Sequence, residues 1–350
     1  MFDTVSESTL MMLAGLFGGV LLGLAARLGR FCTLGAIEDF LYGNSGLRLR
    51  MWWLAIGVAV LGTYGLGAAG MVNIEQSIYL SIRWMPLASV LGGLMFGYGM
   101  ALAGNCGFGA LARLGGGDMR AFVLVLVMGV SAYAVLSGPL AGLRVLVFEQ
   151  VDTTTPQGFA QALSGFAGLS ASTLGMLVGG LIILLTLASP DLRSKPSSAF
   201  WGGIVGVAIV SGWAASGYIS QNGFEAISPV SHSFSAPIGE ALVYTMTASA
   251  RAPTFAVGSV FGVLLGAFIG SLIKGHFRWE ACEDPRELKR QIAGAALMGA
   301  GAVVAMGCTV GQGLSGFSTL SYSAPVTFAA IFAGAAFGLR QLIVGFQPAE

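Results

Sequence analysis

LMMLAGLFGGVLLGLAARLGRFCTLGAIEDFLY, from Leu10 to Tyr42, holds both kinds of element on which the fold turns. Its first part, Leu10 to Leu28, is apolar apart from Arg27 and approaches the roughly 20 residues that cross about 30 Å of hydrocarbon as a helix. Its second part, Phe31 to Tyr42, is too short to cross and opens on the element CTLG at Cys32 to Gly35. A span followed by a short amphiphilic segment predicts a membrane helix and then a half-helix or re-entrant loop. The free backbone N–H groups of such a segment can face a pocket enclosed by protein, and a half-helix N-terminus favours an anion.

The pattern recurs along the whole chain. Hydrophobic residues make up 55% of 350 positions and charged residues 9%, against about 45–50% and about 25% in a soluble domain. So few charges cannot cover a water-exposed surface, so the expectation is one all-α, polytopic membrane domain over residues 1–350 whose partner is the lipid bilayer. Nine spans are predicted: Leu10 to Leu28, Met51 to Gly70, Pro86 to Gly104, Ala121 to Ala141, Ser172 to Ala188, Ala199 to Tyr218, Ala252 to Ile273, Gln291 to Gly307 and Pro325 to Val344. The 54 glycines exceed the roughly 7% of average usage, and spacings such as Gly18-Gly19 with Gly23 allow close helix approach. Asp3 and Glu7 precede the first span without a basic segment, so that span is expected to be retained rather than cleaved as a signal peptide.

Lys and Arg orient the spans. With the N-terminus outside, 14 of the 17 basic residues fall on the cytoplasmic side and only Arg83, Arg144 and Arg251 face out, as the positive-inside bias demands. Nine crossings then leave the C-terminus in the cytoplasm.

The short seam elements repeat at a fixed offset. CGFG at Cys106 to Gly109 and CTVG at Cys308 to Gly311 match CTLG, and APIG at Ala236 to Gly239 lacks only the thiol. Cys32 and Cys106 are 74 residues apart, and Ala236 and Cys308 are 72 apart. The spans follow the same shift, which predicts an inverted repeat: residues 9–141 as the first unit, 172–188 as a connecting helix that reverses the hand, and 199–345 as the second unit. Repeats of this kind with discontinuous helices are the organisation of many secondary transporters, which bind substrate near the midplane. Further short segments are expected at Asn105 to Leu114, Ser235 to Thr247 and Thr309 to Leu320.

Three of the four cysteines therefore stand at seams between spans. Zinc would want a close pair such as C-x2-C, and iron–sulfur ligation has its own spacing; neither is present, so no metal and no cofactor is expected. What remains are soft, mostly protonated thiols able to donate to an anion. A membrane thiol oxidoreductase would instead bring two of them within disulfide reach, and a scaffold would leave them dispensable. Thr33, Thr309 and Ser235 can supply hydroxyl donors, Asn105 and Gln312 flank two of the elements, and Glu38, Asp39 and Glu240 are candidate cavity or proton-carrying carboxylates. His232 and His276 read as surface histidines in loops. The run Gly115 to Gly117 lacks the G-x-x-x-x-G-K-[ST] pattern, so no ATPase, no enzyme and no nucleic-acid partner is expected.

The signatures GRFCTLGAIEDF, AGNCGFGALARLGGG and MGCTVGQGLSG, in this order, resemble the YeeE/YedE family of bacterial inner-membrane sulfur transporters over essentially the whole length. The resemblance implies thiosulfate import through an hourglass of nine helices and short broken ones. Cys32, Cys106 and Cys308 match the central cysteines that pass thiosulfate by S–H hydrogen bonds. It leaves other small sulfur or selenium species open as substrates, among them sulfite and sulfide. Some members work beside a small cytoplasmic sulfurtransferase-like protein. Cys282, in WEACEDPRELKR, looks like a variable cytoplasmic cysteine and is given no transport role.

Overall fold

The computed structural model describes residues 6–225, 227–281 and 284–344. In chain order the helices are α1 (Glu7–Leu28), α2 (Thr33–Leu41), α3 (Leu47–Ala68), α4 (Ile78–Ser81), α5 (Pro86–Ala103), α6 (Gly107–Gly115), α7 (Met119–Leu136) and α8 (Ala141–Val147). They continue as α9 (Phe159–Ala167), α10 (Ala171–Leu187), α11 (Pro190–Arg193), α12 (Pro196–Asn222), α13 (Ala236–Thr247), α14 (Phe255–Ile273), α15 (Pro285–Val304) and α16 (Ser323–Val344). No β-strand occurs among the described residues.

Seven of these helices are long and apolar enough to cross a membrane: α1, α3, α5, α7, α12, α14 and α16. α10 is apolar over 17 residues, and its Leu181, Leu184 and Leu185 are exposed on a lipid-suited surface. α15 begins with the charged turn Pro285 to Arg290, which lowers its mean hydropathy, and runs on for 20 residues. Together these helices account for the nine expected spans of a polytopic membrane protein. Cys282 lies outside the described residues.

Inside a bilayer, helices gain little from burying apolar surface against one another, so close backbone approach carries the association. α1 packs most extensively on α14, and the contact is a ladder of glycines four residues apart: Gly15, Gly19 and Gly23 face Gly258, Gly262 and Gly266. A Cβ added at Gly19 would stand 2.9 Å from the Gly262 Cα, so neither position admits a side chain. α5 meets α15 in the same way, with Gly99 against Gly294 and Gly92 against Gly301, and on its other face meets α16 through Gly93 and Gly97. α3 lies on α12 and on α10, and α7 on α15.

Three of the four short seam segments are α-helical: α2, α6 and α13. The fourth differs from the expectation over Thr309 to Leu320, because Gly311–Gly316 winds as a π-helix. Its wider turn is closed by the Ser315 N–H donating to the Val310 carbonyl at 3.0 Å. Three glycines make that winding sterically cheap, and π-turns concentrate at functional positions. The segment is pinned from several sides: the Trp213 indole of α12 donates to Ser318 Oγ at 2.8 Å, the Tyr64 hydroxyl of α3 to the Thr319 carbonyl at 2.8 Å, and Ser315 Oγ to the His232 carbonyl at 2.7 Å.

Gly262→Val inserts a branched side chain into the α1 and α14 ladder, where overpacking costs about 1–3 kcal/mol or more. The expected result is a lowered unfolding midpoint in detergent and a reduced monodisperse yield, whereas Gly203→Ala, at a position with nothing within 4 Å of an added Cβ, leaves both unchanged.

Candidate functional site

Cys32 and Cys106 occupy the N-caps of α2 and α6, and Cys308 makes the same sulfur contact two residues ahead of the Val310 N-cap of the π-helix. Cys32 Sγ accepts the Gly35 N–H at 3.5 Å and Cys106 Sγ accepts the Gly109 N–H at 3.4 Å. Cys308 Sγ accepts two, from Gly311 and from Phe234, both at 3.4 Å, and Ser233 Oγ lies 3.9 Å away. The Cys-x-x-Gly spacing is thus the cap-to-N3 spacing of a helix start. Glycine at the third position leaves room for a second layer: a Cβ at Gly35 would strike the Arg48 guanidinium, and one at Gly311 would come 2.7 Å from Ser233 Oγ.

The chain reaches each cysteine by the same local device. Two residues before it stands a residue in left-handed backbone: Arg30 (φ 54°), Gly104 (φ 75°) and Met306 (φ 56°). This turn ends the preceding span and swings the next residues into extended backbone, as the φ and ψ of Cys32 (−151°, 132°) and Cys106 (−86°, 173°) record. Arg30 and Met306 hold that conformation without glycine's freedom, at a cost of roughly 1–2 kcal/mol each.

The fourth element corrects the sequence match by one residue. Ser235, not Ala236, is the N-cap of α13, and its hydroxyl makes no cap hydrogen bond.

Cys106 is fully buried and lies within electrostatic range of Cys32, of Cys308 and of the Thr309 side chain. Cys308 is buried and Cys32 half-buried, and all three are free thiols. On the Cys32 side opens a cavity of about 390 Å³ whose lining includes Arg27, Arg30, Arg48, Arg113 and Lys274, with His276 at its edge. Among the described residues no carboxylate lines it. Asp39 reaches only Arg48, 3.1 Å from its Nε. Lys274 is fixed by donating to the last carbonyls of α1, Arg27 at 2.8 Å and Leu28 at 3.1 Å. Its pKa lies below the ordinary lysine value, first through burial and then through Arg30 and Arg27, so the cations of this cavity repel one another.

On the Cys308 side lies a second cavity, of about 510 Å³, with a different chemistry. Tyr79, Trp213, Ser231, Ser233 and Ser235 line it, and Glu240 is its one charged residue. Thr254 Oγ1 donates to Glu240 Oε1 at 2.6 Å.

The sequence-selected residues separate into four groups. Cys32, Cys106, Cys308, Thr33, Asn105, Thr309 and Ser235 lie at the seams, buried or facing a cavity. Gln312 stands behind them: its Nε2 donates to the Ala305 and Met306 carbonyls at 3.0 and 3.2 Å, and its Oε1 accepts from Ser323. It holds the left-handed turn before Cys308. Glu240 sits in the second cavity. Glu38 is exposed and lines neither cavity, and Asp39 is occupied by Arg48.

His232 departs from the expectation of a surface loop. It is fully buried, with Nδ1 2.6 Å from Ser259 Oγ and its ring packed over Gly18 and against Phe255. The segment that carries it folds inward because Val230 exchanges hydrogen bonds with Ser216 and Ser231 donates to the Ile209 carbonyl. That inward course delivers the Phe234 N–H to Cys308. Its signal in the sequence was a stretch, SPVSHSFS, without a charge. The arginine cluster also went unread as a site, since its members come from four separate elements.

Residues 28–337 match the family model described as Sulphur transport. The thiosulfate transporter TsuA of Escherichia coli (strain K12) is 25% identical over 314 residues, 87% of this chain and 87% of that protein. The thiosulfate transporter TsuA of Spirochaeta thermophila (strain ATCC 700085 / DSM 6578 / Z-1203) is 24% identical over 323 residues, 89% of this chain and 93% of that protein. Since the match runs from the end of α1 into α16 and takes in all three capping cysteines, the chain belongs to the sulphur transport family.

Proposed function

We propose that this protein imports thiosulfate, passing the anion from the Glu240 cavity to the arginine-lined cavity through the constriction of Cys308, Cys106 and Cys32. The observation that supports this reading is a buried Cys106 thiol within electrostatic range of Cys32, which lines the arginine-bearing cavity, and of Cys308, whose neighbours Gly307 and Ser233 line the other. The names of the two relatives support thiosulfate as the substrate. A sulfur that already accepts its cap N–H keeps its S–H proton to offer elsewhere, so each thiol is a neutral donor to a passing anion. Successive weak donors hold the ion at each stage and release it to the next, which conduction requires.

The 14 to 3 distribution of basic residues favours a periplasmic N-terminus and a cytoplasmic C-terminus in a bacterial inner membrane. In that orientation the arginine-lined cavity opens to the cytoplasm. Import of a dianion works against the membrane potential by about 2.3 kcal/mol per charge per 100 mV. A unit charge about 4 Å from a cation near a protein surface gains about 4 kcal/mol, so five cations make a local well on the far side. Such a well draws the ion across the waist but supplies no net driving force. That falls to consumption inside, for which a small sulfurtransferase-like partner is suited, or to a coupled ion.

The helix packing supports an inverted repeat of residues 9–141 and 199–345 about the connecting helix α10. Under it α1 corresponds to α12, α3 to α14, α5 to α15 and α7 to α16. The contact of α1 with α14 then has its counterpart in α12 with α3, that of α5 with α16 in α15 with α7, and that of α7 with α13 in α16 with α2.

Uptake of labelled thiosulfate into proteoliposomes, with sulfite, sulfide and selenite as competitors, tests the substrate and the path together. Cys32→Ser, Cys106→Ser and Cys308→Ser keep a capping group and should each lower uptake about tenfold, the equivalent of about 1.4 kcal/mol in barrier, with Cys106→Ser the most severe. Unchanged uptake in all three would refute the thiol path, and preference for another sulfur species would reassign the substrate.

Arg113→Gln removes one cation from the inner cavity without disturbing the Arg48 and Asp39 pair. The expected outcome is a several-fold rise in the half-saturating thiosulfate concentration for efflux from loaded vesicles, diminishing as added salt shortens the screening length.

A further inference from the structure

Beside the row of sulfurs runs a second row, of hydroxyls. Thr33 follows Cys32, Thr309 follows Cys308 and interacts with Cys106, and Ser235 takes the cap position of the element without a thiol. Thr33 and Ser235 are 2% exposed and Thr309 is 0% exposed, and none of the three hydroxyls finds a nitrogen or oxygen partner in the protein. Asn105 Oδ1, 2% exposed on the residue before Cys106, is likewise unpaired. A buried polar group left without a partner costs about 1–3 kcal/mol. Thr33, Asn105 and Ser235 carry three such groups, spread from the Ser235 cavity to the Asn105 cavity, and Thr309, whose hydroxyl meets the Cys106 thiol, extends the set to the fourth seam segment.

We infer that these hydroxyls are the ligands for the oxygen end of the transported anion, so that the protein selects a two-ended sulfur oxyanion. The thiols address a soft terminal sulfur, and the hydroxyls of Thr33, Ser235 and Thr309 donate to the S–O oxygens. This deepens the proposed function and rests on it. The chemistry follows from matching donor to acceptor: a hydroxyl forms a short, charge-assisted hydrogen bond to an anionic oxygen, stronger than its bond to a neutral group, whereas a thiol is a weak donor suited to a polarizable sulfur. A site with thiols alone would take hydrosulfide as readily as thiosulfate. A site with hydroxyls alone would not tell thiosulfate from sulfate.

Thr33→Val and Thr309→Val replace a hydroxyl by a methyl at constant volume, and Thr63→Val and Thr327→Val do the same to two buried, unpaired hydroxyls on α3 and α16, away from the seam segments. Purified wild type and variants are compared by labelled-thiosulfate uptake in proteoliposomes, by competition with hydrosulfide, and by the thermal shift that added sodium thiosulfate produces. At Thr33 and Thr309 the expected result is a KM for thiosulfate raised about tenfold per site, an unchanged inhibition constant for hydrosulfide, and a lost thiosulfate-induced shift. The melting temperature without thiosulfate is expected to be equal to or above wild type, and the Thr→Ser variants to restore the wild-type KM. The Thr63 and Thr327 variants should match wild type throughout. A wild-type KM in both seam variants, an equal loss toward hydrosulfide, or a melting temperature lowered along with uptake would each overturn the assignment. Wild-type protein that neither takes up nor is stabilised by thiosulfate would instead overturn the thiosulfate reading beneath it.

Discussion

A cysteine sulfur that accepts the N–H of the glycine three residues on is the contact around which the centre of this protein is organised. A helix start carries unsatisfied N–H groups, and in the middle of a membrane there is no water to meet them. The cap meets one of them and at the same time fixes where the thiol sits. Serine, threonine and aspartate are better caps than cysteine, so the choice of sulfur is not explained by capping. A thiol that accepts its N–H still holds an S–H proton, and that donor is what the proposed function draws on.

That meeting depends on elements remote in the chain. Cys308 takes its second N–H from Phe234, which reaches it because the segment around His232 is folded between α1, α12 and α14. Gln312 closes the turn before Cys308, and Trp213 and Tyr64 hold the residues after the π-helix. The glycine ladders of α1 with α14 and of α5 with α15 bring the backbones close enough for short segments from all four seams to share one region. A lost ladder contact therefore displaces the sulfurs even though it lies far from them.

The two cavities differ in kind. One gathers cations and, among the described residues, no carboxylate along its lining, with the Lys274 pKa lowered by burial and then by its neighbours; the other is walled by aliphatic, aromatic and hydroxyl side chains with one acid, Glu240, among the described residues. The contrast sets up a field between the two cavities. On the proposed path, neutral thiols between them avoid the desolvation that a buried lysine or arginine would impose.

Much of this was legible from residues alone. Nine spans follow from apolar runs, because partition into hydrocarbon depends on local composition. Cys32, Cys106 and Cys308 stood out because a helix cap is a property of four consecutive residues, and α2, α6 and α13 began within two residues of where the seams predicted. The failures have a common cause. His232 reads as a loop residue until the hydrogen bonds of Ser216 and Ser231 draw its segment inward; Ser235 rather than Ala236 takes the N-cap position of α13; the half-helix or re-entrant loop expected over Thr309 to Leu320 contains a π-helix, Gly311–Gly316; and Glu38 is exposed and lines neither cavity. Each depends on contacts between residues far apart in the chain. The sequence by itself determined that the chain is a helical membrane protein with thiols at its seams, since both facts rest on short-range free energies. Only the tertiary structure decided that the Phe234 N–H reaches Cys308 and that five cations from four elements line one cavity, because side-chain neighbourhoods are set by how the glycine faces pack.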